Sequence, residues 1–185
     1  MRDPKRVAIL ISGRGSNMRA LVDKANGYEV VVVASNKPDA AGLAWARERG
    51  LQTFSLESKG IDREDYDRAL STVLDDFDVG TIALAGFMRI LSPWFVEEWR
   101  GRMLNIHPSL LPKYRGLDTH ARALEAGDKV SGCSVHVVTE ELDAGEILGR
   151  SEVAIEPDDT PATLGLRVLS AEHELYPKVL SEFVR

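Results

Sequence analysis

Hydrophobic positions along this chain form short continuous runs that alternate with longer amphipathic stretches. The runs are rich in valine, isoleucine and leucine, a pattern typical of strands buried on both faces of a parallel sheet. The stretches between them have helical spacing, and two of them begin at the capping residues Asp62 and Ser92. We therefore predict strands at residues 6–12, 28–34, 51–56, 79–85 and 103–106, and helices at residues 16–24, 40–49, 62–76 and 93–99.

The pattern changes after residue 100. Residues 107–117 contain two prolines and a glycine, which predicts a loop, and a helix is predicted at 119–126. Two apolar runs at 132–139 and 147–155 have a short connection, so we expect them to pair antiparallel, and a long helix at 160–183 follows. The predicted fold is α/β, with a doubly wound, mostly parallel sheet, helices on both faces and an antiparallel C-terminal strand pair.

Composition narrows the possible functions. The 185 residues suffice for a single domain, and the net charge of -6 comes with no basic stripe that would suit a nucleic-acid partner. The single cysteine, Cys133, lies inside a predicted strand and is interpreted as a small core residue, so no internal disulfide is expected. No apolar run reaches the ~18 residues of a membrane span and no signal peptide is visible, which favours a cytoplasmic protein without a membrane partner.

A glycine-containing turn, residues 12–17, joins the first predicted strand to the first predicted helix. Gly13 and Gly15 let the backbone approach a ligand, and the free N–H groups at the start of a helix attract an anion. The turn lacks the third glycine of a dinucleotide fingerprint and the Gly-Lys-Ser/Thr ending of an NTPase loop. We interpret it as a cradle for a single phosphate; the alternative is an ordinary strand-to-helix turn.

Asn105 and His107 end a predicted strand and, two residues apart, share one of its faces. Pro108 restricts the backbone of His107 to extended geometry. A carboxamide N–H and an imidazole together suit acyl transfer, because both can stabilise negative charge on an oxygen. The alternative is a polar strand end with a surface histidine.

The loop between the last two predicted strands carries three acids, Glu140, Glu141 and Asp143. For the two glutamates a solvated turn is the favoured interpretation. Asp143 precedes Ala144 and Gly145, which permit a tight turn that aims its carboxylate inward. Close to His107, that carboxylate could orient the imidazole or relay a proton.

Six segments of the sequence together resemble the folate-dependent formyltransferase family, in the branch that takes glycinamide ribonucleotide. The similarity covers about residues 6–180, nearly the whole chain. The segments are residues 12–17, 35–37, 84–92, 104–112, 134–136 and 141–143.

The resemblance implies a role for each matching residue. It implies one domain over residues 1–185, with a Rossmann-like nucleotide-binding half (1–100) and a catalytic, folate-binding half (101–185). It implies small-molecule substrates, 10-formyltetrahydrofolate as co-substrate and no metal, and a homodimer is compatible with it. The implied catalytic residues are Asn105, His107 and Asp143; the implied substrate-binding residues are Gly15, Ser16, Asn17 and Glu172; the implied folate-binding residues are Arg63, Met88, Arg89, Ile90, Leu91, Asn105, Thr139, Glu140, Glu141, Leu142 and Asp143.

Asp118 departs from the family pattern, which usually has histidine there. An acid at this position is expected to lie near Asp143 and to raise the pKa of one of the two carboxyl groups. The other histidines, His120, His136 and His173, have no ligand spacing and are interpreted as structural.

Other functions stay open on the sequence alone. Formyltetrahydrofolate hydrolase and methionyl-tRNA formyltransferase use the same formyl donor, but the first is expected to carry an extra N-terminal domain and the second a C-terminal domain. A sugar-nucleotide formyltransferase is another alternative. A non-catalytic nucleotide-binding module of the same fold is the alternative of a different class.

Overall fold

Seven strands form one sheet in the computed structural model, which describes residues 2–185. The sheet order is β3-β2-β1-β4-β5-β6-β7; strands β1 to β5 run parallel, whereas β6 is antiparallel to both β5 and β7. The predicted fold class is confirmed. The strands are β1 (Arg6–Ile11), β2 (Glu29–Ser35), β3 (Thr53–Ser55), β4 (Thr81–Leu84), β5 (Met103–His107), β6 (Val130–Val137) and β7 (Ile147–Ala154).

Helices cover both faces of the sheet. Along β1 the buried side chains alternate, so that Val7, Ile9 and Ile11 belong to one apolar cluster and Ala8 and Leu10 to the other. Helices α1, α2 and α6 pack on the first cluster, and α3 and α4 on the second. The helices are α1 (Ser16–Asp23), α2 (Ala41–Glu48), α3 (Arg63–Asp76), α4 (Pro93–Glu98), α5 (Thr119–Glu125) and α6 (Pro161–Phe183).

The observed element boundaries differ from the predicted ones by at most one residue, except in β3, β4 and β6, where they differ by two at one end or both. β3 is only three residues long and pairs with Val33 to Ser35 of β2. β6 begins at Val130, two residues before the predicted start, because its pairing with β7 extends to Ala154. No helix within residues 2–185 combines the length and apolar character needed to cross a membrane.

The strand order brings three loops together. Because β1, β4 and β5 are parallel neighbours, the loops that follow them, residues 12–15, 85–92 and 108–118, leave the same edge of the sheet. The Leu111–Pro112 peptide bond in the third loop is cis. This edge is where the candidate site lies.

Helix α6 is tied to the middle of the sheet by Tyr176, which is fully buried. The Tyr176 hydroxyl lies 3.1 Å from the Leu84 carbonyl oxygen and 3.0 Å from the Leu104 carbonyl oxygen and donates to them. Burial raises the pKa of this phenol well above its ordinary value, so the hydroxyl stays a donor. One side chain therefore fastens α6 to both β4 and β5.

We expect Tyr176→Phe to lower the free energy of unfolding by about 1–3 kcal/mol, because two buried carbonyls lose a donor while the ring is retained. Urea unfolding at neutral pH measures the change. The matched control is Tyr114→Phe, whose hydroxyl donates to Asp128 at the surface and whose loss costs less. Equal losses in the two variants would contradict the role given to Tyr176.

Candidate active site

The glycine turn after β1 leaves the start of α1 open. Gly15 precedes the helix at φ 71°, in the left-handed region that favours glycine, and no side chain among the described residues caps the first helical amides. The amide of Gly42, at the start of α2, donates to the Gly13 carbonyl oxygen at 3.0 Å. This hydrogen bond from α2 fixes the turn, and the uncapped amides of α1 are free to bind an anion.

Next to this turn, Asn17 and Glu172 form a buried polar pair. The Asn17 Nδ2 donates to the Glu172 Oε2 at 2.7 Å, linking α1 to α6. Burial raises the pKa of Glu172 from 4.5 to about 7, although the hydrogen bond from Asn17 opposes the shift. The Asn17 Oδ1 is buried without a hydrogen-bond partner anywhere in residues 2–185. The pair has unused hydrogen-bonding capacity, and both residues line a cleft.

The three sequence-predicted catalytic residues converge. Asn105 and His107 project from β5 on the side away from the apolar Leu104 and Ile106. The His107 Nδ1 lies 3.4 Å from the Asp143 Oδ2, and both side chains are buried. The chain therefore folds its carboxamide, imidazole and carboxylate into one place.

Both nitrogens of His107 face acceptors. The Nε2 lies 2.9 Å from the Tyr114 carbonyl oxygen, which can only accept, so this nitrogen carries a proton. The Nδ1 faces the Asp143 carboxylate. A doubly protonated ring satisfies both partners at once, and in that form His107 is a hydrogen-bond donor on both sides.

Asp143 occupies a tight turn that requires glycine at position 145. Its backbone has φ 51°, and a Cβ on Gly145 would collide with the Val137 carbonyl oxygen. The Gly116 amide donates to the Asp143 Oδ2 at 2.9 Å. This confirms the predicted inward turn, because the carboxylate points to the loop after β5 instead of to solvent.

The pKa of the Asp143 carboxyl lies below its ordinary value. Burial is the largest single effect and acts upward, but the Gly116 amide and the neighbouring rings of His136 and His107 outweigh it. Asp143 is therefore an ionised acceptor at neutral pH.

His136, interpreted from the sequence as structural, belongs to this cluster. It lies opposite Asn105 in the antiparallel pairing of β5 and β6. Its Nε2 is 3.2 Å from the Asn105 Nδ2 and 3.5 Å from the Asp143 Oδ1. The signal in the sequence was alternation: His136 faces away from the apolar Val135, as Asn105 faces away from its own apolar neighbours.

The loop after β4 is held at both ends. The Met88 amide donates to the Ser12 Oγ at 2.7 Å, and the Ser92 amide donates to the Asp67 Oδ2 at 2.5 Å. Burial raises the pKa of Asp67, and the hydrogen bonds from Ser92 oppose that shift. Between these two anchors the backbone of residues 88–91 is fixed, while the Met88 and Ile90 side chains are 68% and 66% exposed.

A cleft of about 590 Å³ connects these parts. Its lining includes Asn17, Met88, Asn105, His107 and Glu172. The other predicted residues, among them Asp143, Arg89, Ile90 and Leu91, lie outside this lining. Gly15 and Ser16 form the adjoining turn, Arg63 is exposed at the start of α3, and Thr139, Glu140, Glu141 and Leu142 are exposed on the loop that leads to Asp143.

Asp118 also lines the cleft, but as an exposed residue at φ 57° before α5. It is not among the groups that act on the Asp143 carboxyl, whose pKa is lowered. The expectation that a neighbouring acid raises that pKa is therefore wrong for Asp143. Asp118 lines the cleft and Asp143 does not, and the contacts of Asp143 decide its charge.

A class can be assigned from this fold and site. Residues 5–180 match the family described as formyl transferase, and the chain belongs to that family. The family expected from the sequence motifs is confirmed.

Particular relatives narrow the comparison. The chain is 48% identical over 182 residues to the phosphoribosylglycinamide formyltransferase of Escherichia coli K12, covering 96% of this chain and 86% of that protein. It is 49% identical over 187 residues to the trifunctional purine biosynthetic protein adenosine-3 of Drosophila melanogaster, covering 97% of this chain but only 14% of that protein. The crystal structure of the phosphoribosylglycinamide formyltransferase of Brucella melitensis superposes with a TM-score of 0.93 at 48% identity, covering 97% of this chain and 95% of that one.

The raised pKa of Glu172 predicts a pH-dependent stability. Between pH about 4.5 and about 7 the unfolded chain has Glu172 ionised while the folded chain keeps its proton, so stability falls as the pH rises through this range. We expect Glu172→Gln to remove about 3 kcal/mol of this loss, since one pKa unit corresponds to about 1.4 kcal/mol. Urea unfolding of both proteins at pH 5 and pH 8 measures it.

Glu182→Gln, which changes an exposed carboxylate on the same helix, is the matched control. All other titrating groups are common to the proteins, so the difference between the two pH values isolates Glu172. An unchanged pH dependence in Glu172→Gln would refute the assigned shift.

Proposed function

We propose that this chain transfers the formyl group of 10-formyltetrahydrofolate to the amine of glycinamide ribonucleotide, a step of purine biosynthesis. One observation carries the proposal: the buried cluster of Asn105, His107 and Asp143 adjoins a cleft that reaches Asn17 and Glu172. Membership of the formyl transferase family and the names of the similar proteins support it.

The phosphate of the nucleotide would bind at the turn before α1. The uncapped amides that follow Gly15 supply donors, and Ser16 and Asn17 add side-chain groups. The unpartnered Asn17 Oδ1 and the Glu172 carboxyl are suited to sugar hydroxyls. The ribonucleotide would then lie between α1 and α6, with its amine directed toward Asn105.

The formyl donor would lie across the loop after β4. Its fused ring system carries both apolar faces and polar edges, and the backbone of residues 88–91 offers fixed donors and acceptors for those edges. Exposed apolar side chains suit the faces: Met88, Ile90 and Leu142 are each more than 60% exposed. We assign the donor contacts to Arg63, Met88, Arg89, Ile90, Leu91 and Asn105, and to Thr139, Glu140, Glu141, Leu142 and Asp143 of the acidic loop.

The reaction forms a bond between the ribonucleotide amine and the formyl carbon and breaks the bond from that carbon to N10 of the folate. Negative charge develops on the formyl oxygen, where the Asn105 N–H can donate. His107 donates to the same oxygen when its Nε2–H exchanges the Tyr114 carbonyl for it. Asp143 accepts the proton that the amine loses, which then passes to N10, directly or through water.

The acceptor is the first point to test. With 10-formyltetrahydrofolate as donor, we expect the purified chain to formylate glycinamide ribonucleotide and to leave methionyl-tRNA and an amino-sugar nucleotide unchanged. Product formation followed by mass spectrometry measures this, and a water-only reaction measures hydrolysis. Faster release of formate than of formylated ribonucleotide would replace the proposal with a hydrolase, and no turnover of any acceptor would favour a binding module.

The catalytic assignment has its own test. We expect Asn105→Ala, His107→Ala and Asp143→Ala each to lower kcat by at least ~100-fold, since loss of one oxyanion donor typically costs ~10²–10³. Circular dichroism shows whether each variant keeps its fold. Glu125→Gln, an exposed change on α5, is the control and should keep full activity. Near-normal turnover in folded His107→Ala would remove that residue from the mechanism.

A further inference from the structure

The His136 ring is fixed by its own backbone. It is buried on β6, and its Nδ1 lies 3.0 Å from the Val137 carbonyl oxygen. A carbonyl only accepts, so the proton is on Nδ1. In the neutral ring the Nε2 is then an acceptor, which determines what its neighbour must present.

That neighbour is Asn105, whose Nδ2 lies 3.2 Å from the His136 Nε2. An acceptor at this point selects the amide nitrogen over the amide oxygen, because the oxygen cannot donate. One Asn105 N–H is used in this contact and the other remains for a ligand. Within residues 2–185 the Asn105 side chain makes no other hydrogen bond, so nothing else in the chain selects between its two amide orientations.

The hydrogen-bond partner of the His136 Nε2 depends on whether the ring is neutral or protonated. A protonated His136 would donate from Nε2, and the nearest carboxylate oxygen is the Asp143 Oδ1 at 3.5 Å. It would then no longer accept from Asn105. The neutral ring alone specifies the orientation in which Asn105 keeps a donor free.

We propose that His136 is a positioning residue for formyl transfer: it holds the Asn105 carboxamide with its nitrogen inward, so that one N–H faces the formyl oxygen. The inference rests on the proposed function, because it takes Asn105 to be the donor to that oxygen. Without His136 the amide can rotate by half a turn, and its own oxygen then faces the developing negative charge.

The test begins with His136→Phe, which keeps a buried aromatic ring and removes both nitrogens. We expect kcat to fall about 10-fold or more with KM changed less than about 2-fold, because an oriented hydrogen bond of ordinary strength corresponds to a factor of that order. His136→Gln can place an amide oxygen near the position of Nε2 and should recover most of the lost kcat. A Phe variant with normal kcat, or a Gln variant no better than it, would refute the proposal.

A double-mutant cycle separates positioning from general damage. If His136 acts through Asn105, His136→Phe should lower kcat less than about 2-fold in an Asn105→Ala background, because the group it orients is already gone. The same 10-fold loss in both backgrounds would show that His136 acts by another route.

The contact between His136 and Asn105 can also be tested by NMR, without an assay of formyl transfer. In the wild-type protein the Asn105 side-chain amide, assigned by its absence in Asn105→Ala, should show slowed hydrogen exchange in ¹⁵N NMR. In His136→Phe that protection should disappear. If His136→Phe does not fold, the measurement is made on His136→Gln, in which the protection should be retained. An unprotected wild-type amide would refute the contact. A protected amide in a protein that formylates no acceptor would instead refute the proposed function.

Discussion

The Asp143 carboxylate is the group on which the site depends, because it is the common partner of three separate segments. The Gly116 amide reaches it from the loop after β5, His107 reaches it from β5, and His136 reaches it from β6. A buried carboxylate without donors would be costly, and the Gly116 amide and His107 provide donors that compensate for its burial. The same contacts close the acidic loop over the sheet, a closure that needs the space left by Gly145. One side chain therefore connects this loop to β5, to β6 and to the loop after β5.

The reversal of strand direction at β5 explains why this site is part of the sheet and does not lie only beyond its edge. In the parallel half, the proposed ligand contacts come from backbone groups of loops 12–15 and 85–92, the edge at which open α/β sheets bind ligands. The antiparallel neighbour β6 adds side chains directly opposite those of β5, with His136 facing Asn105. Side chains on paired strands vary little in position, because the backbone ladder fixes both of them. The proposed function therefore uses the parallel part of the sheet for ligand binding and the β5–β6 pair for catalysis.

The sequence predicted the order and type of every strand and helix, because continuous apolar runs and helical periodicity are local signals. Asn105 and His107 were also visible locally, since their spacing and the following Pro108 fix a common face. His136 was not, because its role depends on the register of β6 against β5, and 22 residues of loop and helix separate the two strands. The lowered pKa of Asp143 was not predicted either, because its contacts with the Gly116 amide and the two histidine rings depend on how separate segments pack together.

The pKa values of two buried carboxyl groups in this site shift in opposite directions, and the number of hydrogen-bond donors around each group explains the difference. Asp143 has an amide and two imidazole rings against it and stays ionised, whereas Glu172 has only the Asn17 amide and its pKa rises to about 7. A carboxyl that is partly protonated at neutral pH repels a nearby phosphate less than a full carboxylate does. It can also donate a hydrogen bond to a sugar oxygen. In a chain of net charge -6, the scarcity of donors at Glu172 therefore suits the phosphate proposed to bind at α1, while the donors around Asp143 keep that carboxylate ionised beside His107.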